Sequence, residues 1–224
     1  MPSFRNTRIR FDRRLTDYSK VRSLVTRLLR NNRLFYRTVH QGSYVNLGCG
    51  PNINKDFVNI DASWLPGLDI CCDVSRGLPI SDGFIDGIYS EHCLEHLTLS
   101  EARALLSECR RILAPKSMIR IAVPDLEHYA RGYVTALDGM TMAFPTERSD
   151  YRTKVRHIHA QINDLFYGSG HRVIYDFPML ADLLSDTGFG EIKRCSFRTG
   201  SNEKLLIDSE YRCIESLYVE AVKC

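Results

Sequence analysis

The chain has 224 residues, 44% of them hydrophobic and 25% charged, which is enough for one well-buried domain with a small appendage. No apolar run approaches the ~20 residues that span a bilayer, and no secretory h-region opens the chain; its eight cysteines contain no C-x-x-C pair, which sets aside a disulfide frame and a zinc knuckle. The expectation is a soluble, cytoplasmic protein whose net charge of +3 is uneven: eleven Arg and Lys against Asp12 and Asp17 give residues 1–40 a charge of +9 and leave −6 for residues 41–224.

The basic arm, residues 1–40, contains Val21, Leu24, Val25, Leu28 and Leu29 at helical spacing, so Asp17 to Asn31 reads as an amphipathic helix. Its leucine face is expected to dock on the following domain. Two functional alternatives are an anionic membrane surface bound through residues 1–37 and a phosphate-bearing partner clamped by the arginines. Asp12 and Asp17 argue against a transit peptide.

Residues 41–224 alternate strands with helices. Tyr44-Val45-Asn46-Leu47 is a buried strand punctuated by Gly48 and Gly50, and Phe57 to Asp61 is a second strand ending in a carboxylate. Leu68 to Val74 gives a third strand and Phe84 to Ser90 a fourth. Thr98-Leu99-Ser100-Glu101 is a capping box that opens a helix stopped by Pro115. Met118 to Val123 is the fifth strand. A helix runs from Asp176 to Gly188, and Glu191–Phe197 and Leu217–Val222 close the sheet. This order predicts an α/β, Rossmann-like, doubly wound and mostly parallel seven-stranded sheet whose ligands sit at the carboxyl ends, where Gly50, Asp61, Asp73, Ser90 and Asp125 all fall. Only 13 positions separate Gly48 from Asp61, so the first helix is expected to be shortened to about one turn. Residues 126–175, rich in Tyr and Arg, read as a substrate lid.

Seven blocks carry a resemblance: Asn46 to Gly50 (NLGCG), Val58 to Asp61 (VNID), Asp73 to Pro79, Ser90 to Leu97 (SEHCLEHL), Val123 to Glu127 (VPDLE), Gly170 to Asp176 and Leu184 to Phe189. In this order they resemble the class I S-adenosylmethionine-dependent methyltransferases, in particular a small bacterial branch. The resemblance implies that Asn46, Leu47, Gly48, Cys49 and Gly50 wrap the methionine portion of S-adenosyl-L-methionine. It also implies that Asp61, with Ala62, receives the ribose hydroxyls, that Asp73 and Val74 flank the adenine, and that Ser90 and Glu91 line the floor beneath the sulfonium. Many relatives carry an acid where Asn46 stands, and Gly-Gly where this chain has Lys116-Ser117.

Methyl transfer requires alignment above all, since proximity alone supplies ~7–11 kcal/mol. The acceptor group is a hydroxyl or an amine, and a hydroxyl also needs a base, worth about 10²- to 10⁴-fold. His171 and His92 are the candidates, with Asp125 to orient either one; His128, Tyr129 and Tyr175 stand behind them. His92-Cys93-Leu94-Glu95-His96 also matches the H-x-x-E-H zinc motif of metallopeptidases, but it follows a strand where the methyltransferase pattern has LEHL, so no metal is expected. A non-catalytic cofactor-binding scaffold is a third class of reading. The Arg- and Tyr-rich lid suits an anionic or sugar-like acceptor, a small molecule or a lipid-linked saccharide. RNA or protein ranks behind, because the domain itself is acidic.

Overall fold

The computed structural model of the protein describes residues 16–139, 158–168 and 170–224. Seven strands form one sheet in the order β3-β2-β1-β4-β5-β7-β6. They are β1 Ser43–Leu47, β2 Val58–Asp61, β3 Ile70–Cys71, β4 Ile85–Glu91, β5 Leu113–Pro124, β6 Phe189–Cys195 and β7 Ser216–Lys223. The first five run parallel, and β7 is antiparallel to both β5 and β6. Between β1 and β4 the strand order changes direction; Leu47 lies opposite Ser90 there, and the divergent loops leave a crevice.

The two faces of the sheet differ in kind. Val45, Leu47, Ile60, Ile88, Ile119, Ile121 and Val219 point to one side and pack with Leu105, Leu106 and Cys109 of α2 (Leu99–Ile112) and Leu180 and Leu184 of α5 (Phe177–Asp186). Thr98 caps α2 through the Glu101 amide, and Glu101 returns to the Thr98 amide, so the expected capping box forms. Asp176 caps α5 through Met179 N at 2.9 Å.

The alternate residues Asn46, Asn59, Tyr89, Arg120, Tyr218 and Glu220 are as buried as their apolar neighbours. No helix leads from β1 to β2; residues 48–57 form turns, which takes the expected shortening to its limit. Asn46 Nδ2 donates to Asn52 O at 2.8 Å and to Asn59 Oδ1 at 3.1 Å, while Asn59 N donates to Asp69 Oδ2 at 2.8 Å. Residues 196–215 cover the rest of this face. Arg120, at 0% exposure, pairs with Asp208 at 2.6 Å and Glu220 at 3.0 Å and donates to the Ser196 and Thr199 carbonyls. Burial by itself lowers the guanidinium pKa, but the two carboxylates outweigh it and hold the group charged.

Three details differ from expectation. The third strand shrinks to Ile70–Cys71, because Asp73 turns its side chain back onto Ser75 N and starts a 3-10 turn. The fifth begins at Leu113, directly after α2, and Lys116 takes φ +64° at the irregularity between the Ile85↔Leu113 and Gly87↔Met118 pairs. That left-handed backbone is the reason glycine suits this turn.

The third concerns α1 (Thr16–Leu29). Its leucine face does not dock: Val21, Leu24 and Leu28 are 59%, 60% and 63% exposed, whereas Thr26 is buried. Beneath the helix lie backbone groups of the β2–β3 connection rather than an apolar surface. Thr26 Oγ1 accepts from Trp64 N at 3.0 Å, Arg30 Nε donates to Ala62 O at 2.6 Å, and Asn31 Oδ1 accepts from Asp73 N at 3.0 Å. No described helix is long and apolar enough to cross a membrane.

Of the expected lid, α3 (Leu126–Leu137), α4 (Ile158–Asn163) and a π turn at Asp164–Gly168 are described. Arg148, Tyr151, Arg152, Lys154, Arg156, His157 and the His159 side chain lie outside the described residues. Tyr129 is a core residue: it packs on Leu165 and Ile174 and donates to Glu215 Oε2 at 3.0 Å.

Candidate cofactor and acceptor site

The carboxyl ends of β1, β2 and β4 place the predicted residues around one crevice. Gly48 and Gly50 both have positive φ, +67° and +49°, for different reasons. A Cβ on Gly48 would sit 2.3 Å from Cys93 Sγ, so this glycine admits a neighbouring side chain; a Cβ on Gly50 would meet nothing within 4 Å and faces open space. Gly50 N donates to Asp61 Oδ2 at 2.9 Å and Ser63 N to Asp61 Oδ1 at 2.7 Å. A carboxylate has about four lone-pair sites, so Asp61 has capacity left for two hydroxyls after these bonds have fixed its orientation.

Ala62 follows in the loop held by Arg30. Asp73 sits one strand over; its pKa is lowered by the Ser75 hydroxyl, and Val74 is in the core. Ser90 is 2% exposed at the end of β4. Glu91 points to the polar face and receives both the amide and the hydroxyl of Ser209. The Asn46 amide nitrogen is committed to Asn52 and Asn59, though the residue lines the cavity on the polar face, and Leu47 is in the core. The Cys49 and Cys93 thiols are pushed up to about 12 by burial, so neither is a nucleophile near neutrality.

Two cavities flank the crevice. One of about 360 Å³ lies on the polar face among Asn46, Cys49, Lys55, Tyr89, Glu91 and Ser209. The other, about 600 Å³, lies between α1 and the Asp61 loop and is lined by Arg22, Ser23, Thr26, Arg27, Arg30 and Ser63.

The proposed bases separate. His92, with φ +49° and 9% exposure, is wedged with Nε2 2.8 Å from Ser216 Oγ and Nδ1 3.3 Å from Glu95 Oε1; it is a structural histidine of the β4 end. Asp125 orients neither candidate. It caps α3 through Glu127 N and His128 N, and Arg194 holds it at 2.7 Å. His171 does reach the β4 end, because Arg172 N and Val173 N both donate to Glu95 O. Its Nδ1 lies 2.5 Å from Leu165 O, and its ring is 5.0 Å from that of His96. Leu94–His96 is a three-residue 3-10 turn, so His92 and His96 do not share the α-helical face that an H-x-x-E-H zinc site requires.

Residues 43–121 match the model of a methyltransferase domain family. The chain carries an S-adenosylmethionine-dependent methyltransferase domain. Solved structures share the fold of this methyltransferase. An S-adenosylmethionine-dependent enzyme from Thermotoga maritima, described as a possible histamine N-methyltransferase, is 16% identical with a TM-score of 0.51, covering 94% of this chain and 97% of its own. An S-adenosylmethionine-dependent methyltransferase from Archaeoglobus fulgidus is 18% identical with a TM-score of 0.50, covering 90% and 94%. A sequence search of curated proteins returns no match. The residues present fit the cofactor: Gly50 leaves an open cradle and Asp61 a fixed acceptor beside it. Bound there, S-adenosylmethionine supplies a methyl group activated by its sulfonium.

Sequence reasoning missed Arg30, Ser209 and the Arg120–Asp208–Glu220 cluster. The signal for the last was legible as an arginine between Ile119 and Ile121 in an otherwise apolar strand.

Proposed function

We propose that this methyltransferase, of the small bacterial branch that its seven blocks resemble, acts in the cytoplasm at a membrane surface and methylates a hydroxyl of an anionic, lipid-linked saccharide. The observation that carries the reading is the reversed α1. It turns Val21, Leu24 and Leu28 to solvent beside Arg22 and Arg27, with Leu34 and Phe35 exposed just beyond, while its inner edge closes the arginine-lined cavity next to Ser63. An apolar stripe flanked by cations suits an anionic leaflet. Three guanidinium groups beside the cofactor loop suit a phosphate or carboxylate.

In this reading α1 seats the protein on the lipid and Arg22, Arg27 and Arg30 hold the acidic end of the acceptor. His171 and His96, tethered to the end of β4, stand on the acceptor side of the crevice. Asp61, oriented by the Gly50 amide, holds the cofactor.

The test uses labelled S-adenosylmethionine with membrane and soluble extracts separated by size. Label in an organic-extractable fraction that mild acid converts to a water-soluble saccharide supports the reading; label confined to RNA or protein overturns it. Flotation with phosphatidylglycerol vesicles checks the surface: Leu24→Glu/Leu28→Glu should abolish binding that phosphatidylcholine alone never supports.

A further inference from the structure

Beside the crevice, Glu95, His96 and His171 bring one ligand atom each to within 4.8 Å of one another. We propose that these three side chains form a binding site for a divalent transition-metal ion of the zinc class. The proposal rests on the reading that the β4 end is the acceptor side of a methyltransferase, and it deepens that reading.

The donor set is two imidazoles and one carboxylate, which suits Zn²⁺ and its neighbours in the first transition row and is too nitrogen-rich for Mg²⁺ or Ca²⁺. Ligands at about 2.0–2.2 Å from a tetrahedral ion stand ~3.3–3.6 Å apart, so the three side chains close on an ion by drawing together by roughly 1 Å. The ligands also have the supports that metal ligands require. His171 is fixed through Nδ1 against the Leu165 carbonyl, so Nε2 is the nitrogen assigned to the ion. The His96 ring stands edge-on to that of His171, 5.0 Å between centroids. Glu95 is fully buried, with His92 Nδ1 3.3 Å behind Oε1 and its own carbonyl clamped by the Arg172 and Val173 amides. Residues 75 positions apart in sequence are thereby locked together by the backbone of one turn.

Among the described residues the set is three ligands, the number that catalytic rather than structural sites use. An acceptor hydroxyl ligated there has its pKa lowered. Its O–H bond breaks with the proton passing to solvent, the oxygen lone pair forms the new O–CH₃ bond, and the S–CH₃ bond breaks with its electron pair returning to sulfur. The imidazoles then act as ligands instead of accepting the proton themselves.

The experiment titrates metal-stripped full-length protein with Zn²⁺ by calorimetry and with Co²⁺ by visible absorption, and measures S-adenosylhomocysteine binding on the same samples. The expected result is one equivalent of ion, with intense Co²⁺ bands that report nitrogen coordination, and affinity reduced at least 100-fold in His96→Ala and in His171→Ala. His40→Ala, an exposed histidine elsewhere, should bind as the native chain does. His96 is at the surface, so its variant remains folded even if a Glu95→Gln chain does not. No ion bound below about 100 μM, or binding unchanged in both histidine variants, overturns the metal site; if cofactor binding persists, the methyltransferase reading stands. Metal bound as expected without any cofactor binding supports the site and removes the reading beneath it.

Discussion

The two faces of the sheet solve the same problem with opposite chemistry. On one face, aliphatic side chains of six strands meet α2 and α5, and stability comes from non-directional burial. On the other, where a parallel sheet ordinarily carries further helices, Asn46, Asn59 and Asp69 tie the β1–β2 turns, and Arg120, Asp208 and Glu220 bolt residues 196–215 across β5 and β7. The first face tolerates repacking, since many contacts share the load. The second holds its geometry only while every polar group is paired. It is also the face on which Asn46, Tyr89 and Glu91 line a cavity, so among the described residues turns and residues 196–215, rather than helices, give this face a shaped polar wall beside the cofactor end.

Breaking the polar face should give the largest effect. Arg120→Met strands two buried carboxylates and should lower unfolding free energy by about 3–5 kcal/mol in urea titrations, whereas Arg120→Met/Asp208→Leu/Glu220→Val should recover at least half of that loss. On the apolar face, Leu105→Ala should cost about 3 kcal/mol through the lost burial and the remaining cavity, with no partner substitution able to rescue it in the same way.

At the edge where the two faces meet the crevice, Asp61→Ala removes a charge-assisted acceptor worth roughly 1.5–3 kcal/mol, so S-adenosylhomocysteine should bind about 10- to 100-fold more weakly by calorimetry. Lys116→Gly, relieving the left-handed residue ahead of β5, should raise the urea midpoint by the equivalent of about 0.5–1 kcal/mol.

The smallest effect tests whether charges on the helical side behave as surface charges. The Arg111 hydrogen bond holds the Glu108 carboxyl below the usual glutamate range, so its contribution is present above about pH 4.5, the unfolded value, and is lost as pH falls through the folded one. Glu108→Gln should therefore be less stable than the parent by about 0.5–1 kcal/mol at pH 7, with the difference closing toward pH 3.

The strands' places along the chain, the Thr98 capping box and the Asp176 cap were legible because each depends on neighbours close in sequence, whereas the one-turn first helix that was expected is replaced by turns. The alternation in Val45-Asn46-Leu47 and Val58-Asn59-Ile60 was equally visible, yet what the asparagines do depends on Asn52 and Asp69. Periodicity located α1 and misjudged its direction, because the pattern says which residues share a side and not what lies beneath the helix; here that is the backbone around Ala62 and Trp64. Gly50 and Asp61 were named by their places at the ends of neighbouring strands, and the Gly50 amide bonds the Asp61 carboxylate. His92 and Asp125 were named by position at strand ends, where a serine, a helix cap and an arginine had already claimed them. No local pattern places His171 beside His96, because a clamp on the Glu95 carbonyl sets that pairing.

The Arg120 cluster also dictates when this protein finishes folding. Its partners lie 88 and 100 positions downstream, so while the chain emerges from the ribosome β1, β4 and the first half of the domain are synthesised long before the carboxylates that neutralise Arg120. Until then β5 carries an uncompensated cation on a surface meant for the interior, and the sheet has no reason to close on that side. Such long-range closure slows folding and leaves the β5 edge exposed to wrong partners in the meantime. Strand β7 thus acts as the latch of this face: its closure waits for residues 208 to 220.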